Sequence, residues 1–408
     1  MAGLSRGRRF FERILSDGVP SVNTVISRTD TRTETVTVPS DFATIPDALD
    51  TLHERRSPPG VRYEILIESG HEIDYNTRIE DKDLRHVSIK SQDQSVPVAS
   101  TFTDKVFEFR RTVAPVIDIH LQGTGDQRWG FDVGEQSTLV TEADAGASNL
   151  EIGMVVQRGS TVFAQNCEWT DNDRRGVSVN RGSLAYLGFS DFSANGNIGL
   201  RVASSTVNAE QATITNSDEA VAVVNGGSAD INGSAISDNT GSAIRCDTNG
   251  RVTATDVNAP VTIDNCGRGV LATSDAKVSL IGAEISGSDN EGVYALEDGR
   301  VLLEDCSISG SGSEGVRSRT GSHVVLANTD VTESGDDGVS AEYSTASIQS
   351  SEVSGSTGID LSVSWGGILR AGTVTSASTE SDPHEEDMNV SPNTVHGEGI
   401  IFAESTEQ

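Results

Sequence analysis

A four-residue unit, glycine–apolar–any–apolar, returns along this chain at a nearly constant distance. It reads Gly176-Val177-Ser178-Val179, Gly199-Leu200-Arg201-Val202 and Gly269-Val270-Leu271-Ala272, then Gly292-Val293-Tyr294-Ala295, Gly315-Val316-Arg317-Ser318 and Gly338-Val339-Ser340-Ala341. With weaker copies at Val221 and Ile244 and a last one at Ile359, its first apolar position steps by 20 to 26 residues, most often 23. Two further columns keep the same beat: Val207, Val252, Val278, Val301, Val324, and Trp169, Phe192, Ile214, Ile236, Ile263, Ile285, Ile308, Val331, Val353. Three short alternating strands per repeat, divided by Gly, Asn, Asp and Ser turns, cannot close a core alone. Stacked in register they can, because each repeat then hydrogen-bonds to the next and inward side chains form continuous ladders. No window between the glycines offers ten residues of helical periodicity, so a helical repeat is excluded. The expectation is an all-β chain: a single-stranded, right-handed parallel β-helix of 22–23 residues and three strands per coil, with about nine regular coils.

The entry to the repeat, residues 36–52 (VTVPSDFATIPDALDTL), resembles the opening of pectin lyase-like β-helices, a strand followed by a short capping helix. Thr44 with Asp47 forms a capping box, Pro46 sits in the first turn, and Ile45, Ala48, Leu49 and Leu52 share one face. Such a helix would cover the open end of the first coil. The organisation then reads as an arm and linker over 1–35, a cap with irregular early coils over 36–150, the regular β-helix over 151–370, and an acidic tail over 371–408 that ends in the apolar strand Gly399–Ala403.

The net charge of −31 and the use of only four lysines among thirty basic residues resemble proteins that work in molar salt. There the Debye length is about 3 Å, and crowded carboxylates scarcely repel. No basic stripe marks the main body, so nucleic acid is not an expected partner. No run of eighteen apolar residues exists, so no membrane-spanning helix is expected. Arg8-Arg9-Phe10-Phe11 resembles a twin-arginine signal without the apolar stretch that should follow. The four cysteines are expected to be free, since Cys167 and Cys306 share a column six coils apart and Cys246 reads as an inward filler. Seven scattered histidines show no metal spacing, and neither cofactor nor metal is expected.

Many pectin lyase-like β-helices are polysaccharide lyases, hydrolases or esterases. Asp336-Asp337-Gly338 resembles the paired aspartates of polygalacturonases, but the Asn-x-Asp, Ser/Gly-His-Gly and Arg-x-Lys partners are missing, and Val395-His396-Gly397 lies in the tail. The aspartates also fit an acidic turn column shared with Asp218, Glu219, Asp289, Glu291 and Glu314, which needs no catalysis; a Ca²⁺ site there is, like the active site, the lesser reading. No catalytic residue is therefore assigned. One outward column carries unusual surface chemistry: Arg201, Arg245, Leu271, Tyr294 and Arg317, running from Ser178 to Asp360. It fits a subunit interface or a receptor face, or plain strand propensity.

In the arm, Arg8, Arg9 and Arg13 accompany Phe10, Phe11, Ile14 and Leu15, whose apolar groups fall on one face of a short helix stopped at Gly18. A docking arm, a linker, a cap and a β-helix resemble virus tail spikes and fibre-type receptor-binding proteins, commonly homotrimers. The resemblance implies a virion structural protein assembled in the host cytoplasm, held to other virion proteins through residues 1–17 and binding a host glycan or glycoprotein. A polysaccharide lyase or hydrolase, and a cell-surface β-helix repeat protein, are the alternatives. If the acidic surface needs screening, the melting temperature should fall as KCl is diluted from molar to below a few hundred millimolar, followed by circular dichroism. A flat profile refutes the salt-adapted reading.

Overall fold

The computed structural model describes residues 32–54, 61–94, 97–124, 128–372, 374–377, 394–396 and 399–403. Arg8, Arg9, Phe10, Phe11, Arg13, Ile14 and Leu15 lie outside these. The described residues form a right-handed parallel β-helix with three sheets running along its axis. The first sheet holds thirteen strands from Thr77–Glu80 to Leu361–Ser364, the glycine-led ones among them. The second begins with β1 (Arg32–Val38), which pairs with β2 (Val61–Ile67) from Arg32↔Val61 to Val38↔Ile67. The third starts as Val98–Ser100, His120–Gly123 and Gly146–Ser148 and continues by single bridges, Gly146↔Glu168↔Asp191↔Thr213, into eight further strands.

Registers place the repeat columns in ladders. Val177, Leu200, Val221, Ile244, Val270, Val293, Val316 and Val339 stand on one another in the first sheet. Ile214, Ile236, Ile263, Ile285, Ile308, Val331 and Val353 do so in the third. All are buried. Two sequence expectations need correction. Thirteen coils are present instead of nine, because Thr77, Phe107, Phe131 and Met154 extend the first-sheet ladder toward the N-terminus. The last step is also misplaced: Leu361, not Ile359, stands on Val339, so the outward residue after Ser340 is Ser362 and Asp360 falls outside that column. The strand β1 in addition takes in Arg32–Thr35, residues assigned above to the linker.

The glycine of the repeat is there for space. Gly176, Gly269, Gly292 and Gly315 have no positive φ, yet a Cβ on each would stand 2.4–2.8 Å from the carbonyl oxygen of the equivalent glycine one coil on. Polar side chains bind the interior of the corners. Asn195 Oδ1 accepts from the Asn172 backbone N–H and side-chain amide (both 3.1 Å), and Asn195 Nδ2 donates to the carbonyl of Trp169 (2.9 Å). Another corner links Cys167 N–H to Ser190 Oγ at 3.1 Å and Cys306 N–H to Thr329 Oγ1 at 3.4 Å. These contacts satisfy backbone groups that the turns leave unpaired. Helix α1 (Ile45–Glu54) buries Ile45, Ala48, Leu49 and Leu52 over the first coil, and Thr44 Oγ1 accepts from the Asp47 N–H at 3.3 Å. All four cysteines are free and buried.

Ile285 is buried between Ile263 and Ile308. Ile285→Ala should cost about 2–5 kcal/mol by denaturant unfolding, while Ser286→Ala, on the outward side, should cost well under about 1 kcal/mol. Equal effects would contradict the register.

Candidate functional site

The outer face of the first sheet carries three rows of side chains per coil, repeated at the strand spacing of about 4.8 Å. Its middle row runs Asp132, Val155, Ser178, Arg201, Ala222, Arg245, Leu271, Tyr294, Arg317, Ser340, Ser362. The structure thus brings together Arg201, Arg245, Leu271, Tyr294 and Arg317 in one column, but their surroundings differ along it.

Toward the C-terminus the charges are matched within the chain. Arg245 Nε lies 2.7 Å from Glu219, and Arg268 lies 2.6 Å from Glu291. Arg317 lies 2.9 Å from Glu314, Arg319 lies 2.7 Å from Glu342, and the Arg268 and Arg317 guanidiniums sit 5.1 and 5.7 Å from the Tyr294 ring centroid. This half is a lattice of cations each paired with a carboxylate. Asp337 Oδ1 accepts from the Ile359 N–H at 3.0 Å, and burial raises its pKa. Its carboxylate thus takes part in the next turn. Among the described residues no three His, Cys, Asp or Glu side chains gather as a metal site, and no helix is long and apolar enough to cross a membrane.

Toward the N-terminus the face opens into a groove of ≈ 390 Å³ that runs from Trp129 to Asn225. Ile152 and Val155 line it with apolar groups, Gln157, Ser178, Asn180 and Ser204 with amides and hydroxyls, and Arg175, Arg181 and Arg201 with guanidiniums. One end is built on buried charge. Asp132, fully buried, meets Arg110, Lys105 at 2.7 Å and the Gln157 amide at 2.9 Å. Burial alone would raise the Asp132 carboxyl; the hydrogen bonds from Arg110, Lys105 and Gln157 outweigh it and hold the pKa below its ordinary value. The same Lys105 sits 4.9 Å from the Trp129 ring centroid and Arg128 5.9 Å, so the indole is held by cations.

Arg175 and Arg201 behave differently from the arginines further along. Both are half-buried, and neither has a carboxylate within ion-pair distance among the described residues. The carboxylate nearest in effect to Arg175 is Glu151, already engaged by Arg174 and by Arg128 at 3.6 Å. Arg175 Nε is buried without a hydrogen-bond partner. Burial, then repulsion from Arg201 and Arg174, pushes the Arg175 guanidinium down to about 10. Arg201 is lowered by burial and by Arg245, and its Nη1 donates to Asn180 Oδ1 at 2.6 Å. Sequence reading singled out Arg201 from its column and missed Arg175, Gln157, Asn180 and Trp129. The missed signal was the unit Gly130-Phe131-Asp132-Val133 and Gly153-Met154-Val155-Val156, which carries the 23-residue step two coils earlier.

The family described as "Right handed beta helix region" matches residues 259–379. No curated protein matches the sequence. Among solved structures, the chain is similar to the catalytic unit of a thermostable GH87 alpha-1,3-glucanase from Streptomyces thermodiastaticus strain HF3-3, with 13% identity and a TM-score of 0.34 over 84% of this chain. The chain spans 62% of that structure's length. It is also similar to a mutant of the periplasmic alginate epimerase AlgG, with 11% identity and a TM-score of 0.31, covering 84% of each chain. Neither similarity assigns an activity to this protein.

Asp132→Asn should lower stability by about 1–3 kcal/mol at pH 7, because Lys105 and Arg110 lose their fully buried counter-charge and keep only Glu108, at 3.6 and 2.8 Å. Because the folded pKa is depressed, the contribution is present above the unfolded value of about 3.9 and is lost as pH falls through the folded one. Thermal melts should therefore show the gap between wild type and Asp132→Asn closing below about pH 4. A gap of constant size would refute the ion-pair account.

Proposed function

We propose that this protein is a glycan-binding β-helix that holds a saccharide in the groove between Trp129 and Asn225. The observation that carries the reading is the groove's lining: amides and hydroxyls from Gln157, Ser178, Asn180 and Ser204 beside the apolar Ile152 and Val155, mounted on hydrogen-bonded strands or, for Gln157 and Ser204, on the residue that directly follows one. A sugar ring presents the same mixture of hydroxyls and C–H surface, and a site of fixed strands loses little entropy in ordering itself. The groove crosses successive coils, so it suits an extended chain of sugars better than a compact metabolite.

Binding without cleavage is the activity proposed, since the groove lining includes no carboxylate. Glycan recognition of this kind serves a virion receptor-binding protein as readily as a protein acting on polysaccharide. Residues 1–17, outside the described residues, carry the virion half of that proposal.

Affinity electrophoresis through gels containing neutral and acidic polysaccharides tests the reading. At least one glycan should retard the protein, without new reducing ends appearing. Gln157→Leu with Asn180→Leu should weaken that binding about tenfold or more, as expected for losing polar contacts of about 1–3 kcal/mol. If no glycan retards the protein, or if the double variant binds as well as wild type, the groove is not the site.

A further inference from the structure

We infer that the groove recognises an anionic substituent on its saccharide, a carboxylate or sulfate oxygen group gripped by Arg175 and Arg201. This deepens the glycan reading and rests on it.

In a chain of net charge −31, carboxylates are the most available partners. The outward arginines further along this face have found them: Arg245, Arg268, Arg317 and Arg319 each meet a glutamate within 2.9 Å. Arg175 and Arg201 are the exceptions. They sit half-buried in a depression, close enough for Arg201 to depress the pKa of Arg175. The Nε groups of Arg245 and Arg319, though also without a hydrogen bond, face glutamates at 2.7 Å, whereas the buried Nε–H of Arg175 has neither acceptor nor carboxylate beside it. Two repelling guanidiniums and an unmet donor cost free energy in the empty groove. An oxyanion between them would relieve both costs at once.

The geometry suits this role. Guanidiniums present fixed forks that match planar or tetrahedral oxyanions. Asn180 accepts from Arg201 Nη1 at 2.6 Å while its amide donates to Ser178 Oγ at 3.1 Å, so Arg201 is braced from below. Arg175 is set by its strand, between Ile152 and Ile198 in the register. Exposed Arg181 at the rim adds attraction at the entrance. The remainder of the surface repels polyanions, so preference for a charged glycan isolates the groove's own contribution.

The test uses the full chain and one backbone in three forms: dextran, carboxymethyl-dextran and dextran sulfate, measured by isothermal titration calorimetry. Wild type should bind a charged form at least tenfold more tightly than dextran, and which charged form wins separates carboxylate from sulfate. Arg175→Gln with Arg201→Gln should erase that preference, while Arg300→Gln with Arg370→Gln, both exposed residues of the second sheet, should keep it. Circular dichroism melts confirm that each variant is folded. Equal affinity for neutral and charged forms, or equal losses in both double variants, overturns the anion assignment while leaving glycan binding intact. If neither the dextrans nor the gel panel bind, the glycan reading itself falls. Polyglutamate bound as tightly as the charged dextrans, with the same arginine dependence, would overturn the sugar and indicate an acidic protein segment.

Discussion

Each coil of this protein is fastened to the next by parallel backbone hydrogen bonds that set every residue directly above its equivalent. Val177 stands on Leu200 and Ser178 on Arg201 because the strands between them admit no slip. A one-residue shift would turn the valines outward and the serines and arginines inward. The core, the corner ladders and the outer rows are therefore consequences of one register. Without it the three-residue strands of the third sheet, such as Glu284–Ser286, would have no stability of their own.

That dependence explains why so much of the fold was legible. The inward columns need only be apolar and evenly spaced, and the sequence keeps both properties from Val177 to Val339. It also explains where reading failed. Phe107, Phe131 and Met154 belong to the same ladder and keep nearly the same step, but their aromatic and thioether groups do not look like valine. The rings fit because they stack, Phe107 on Phe131 at 5.4 Å and Phe131 against Trp169 at 6.0 Å. Near the other end, Ile359 offers a glycine-led match that the backbone declines in favour of Leu361.

The candidate site was only partly legible, for a related reason. Outward positions are free of the packing constraint, so no period identifies them, and their meaning depends on lateral neighbours two or three residues away. Arg201 and Arg317 occupy the same column and look alike in sequence. Only the structure shows that Glu314 neutralises one, while the other has Asn180 for company. Charge pairing along a solenoid face is a two-dimensional pattern, and a linear reading sees one dimension of it.

The glycine column has a consequence for how such a chain changes over time. Where Gly292 or Gly315 stands, the coils approach too closely for any side chain; alanine takes the same place at Ala220 and Ala243, and larger residues do so only toward the ends, at Val106 and Asp360. Substitution within a coil is thus tightly policed, whereas copying a whole coil adds a rung whose glycine, ladder residues and outer rows all arrive in phase. Growth by duplication would lengthen the outer face in steps of one strand spacing and bring new lateral neighbours to the old arginines. Such a surface gains new binding properties by acquiring rows, and the close-packed interior records each addition as one more period.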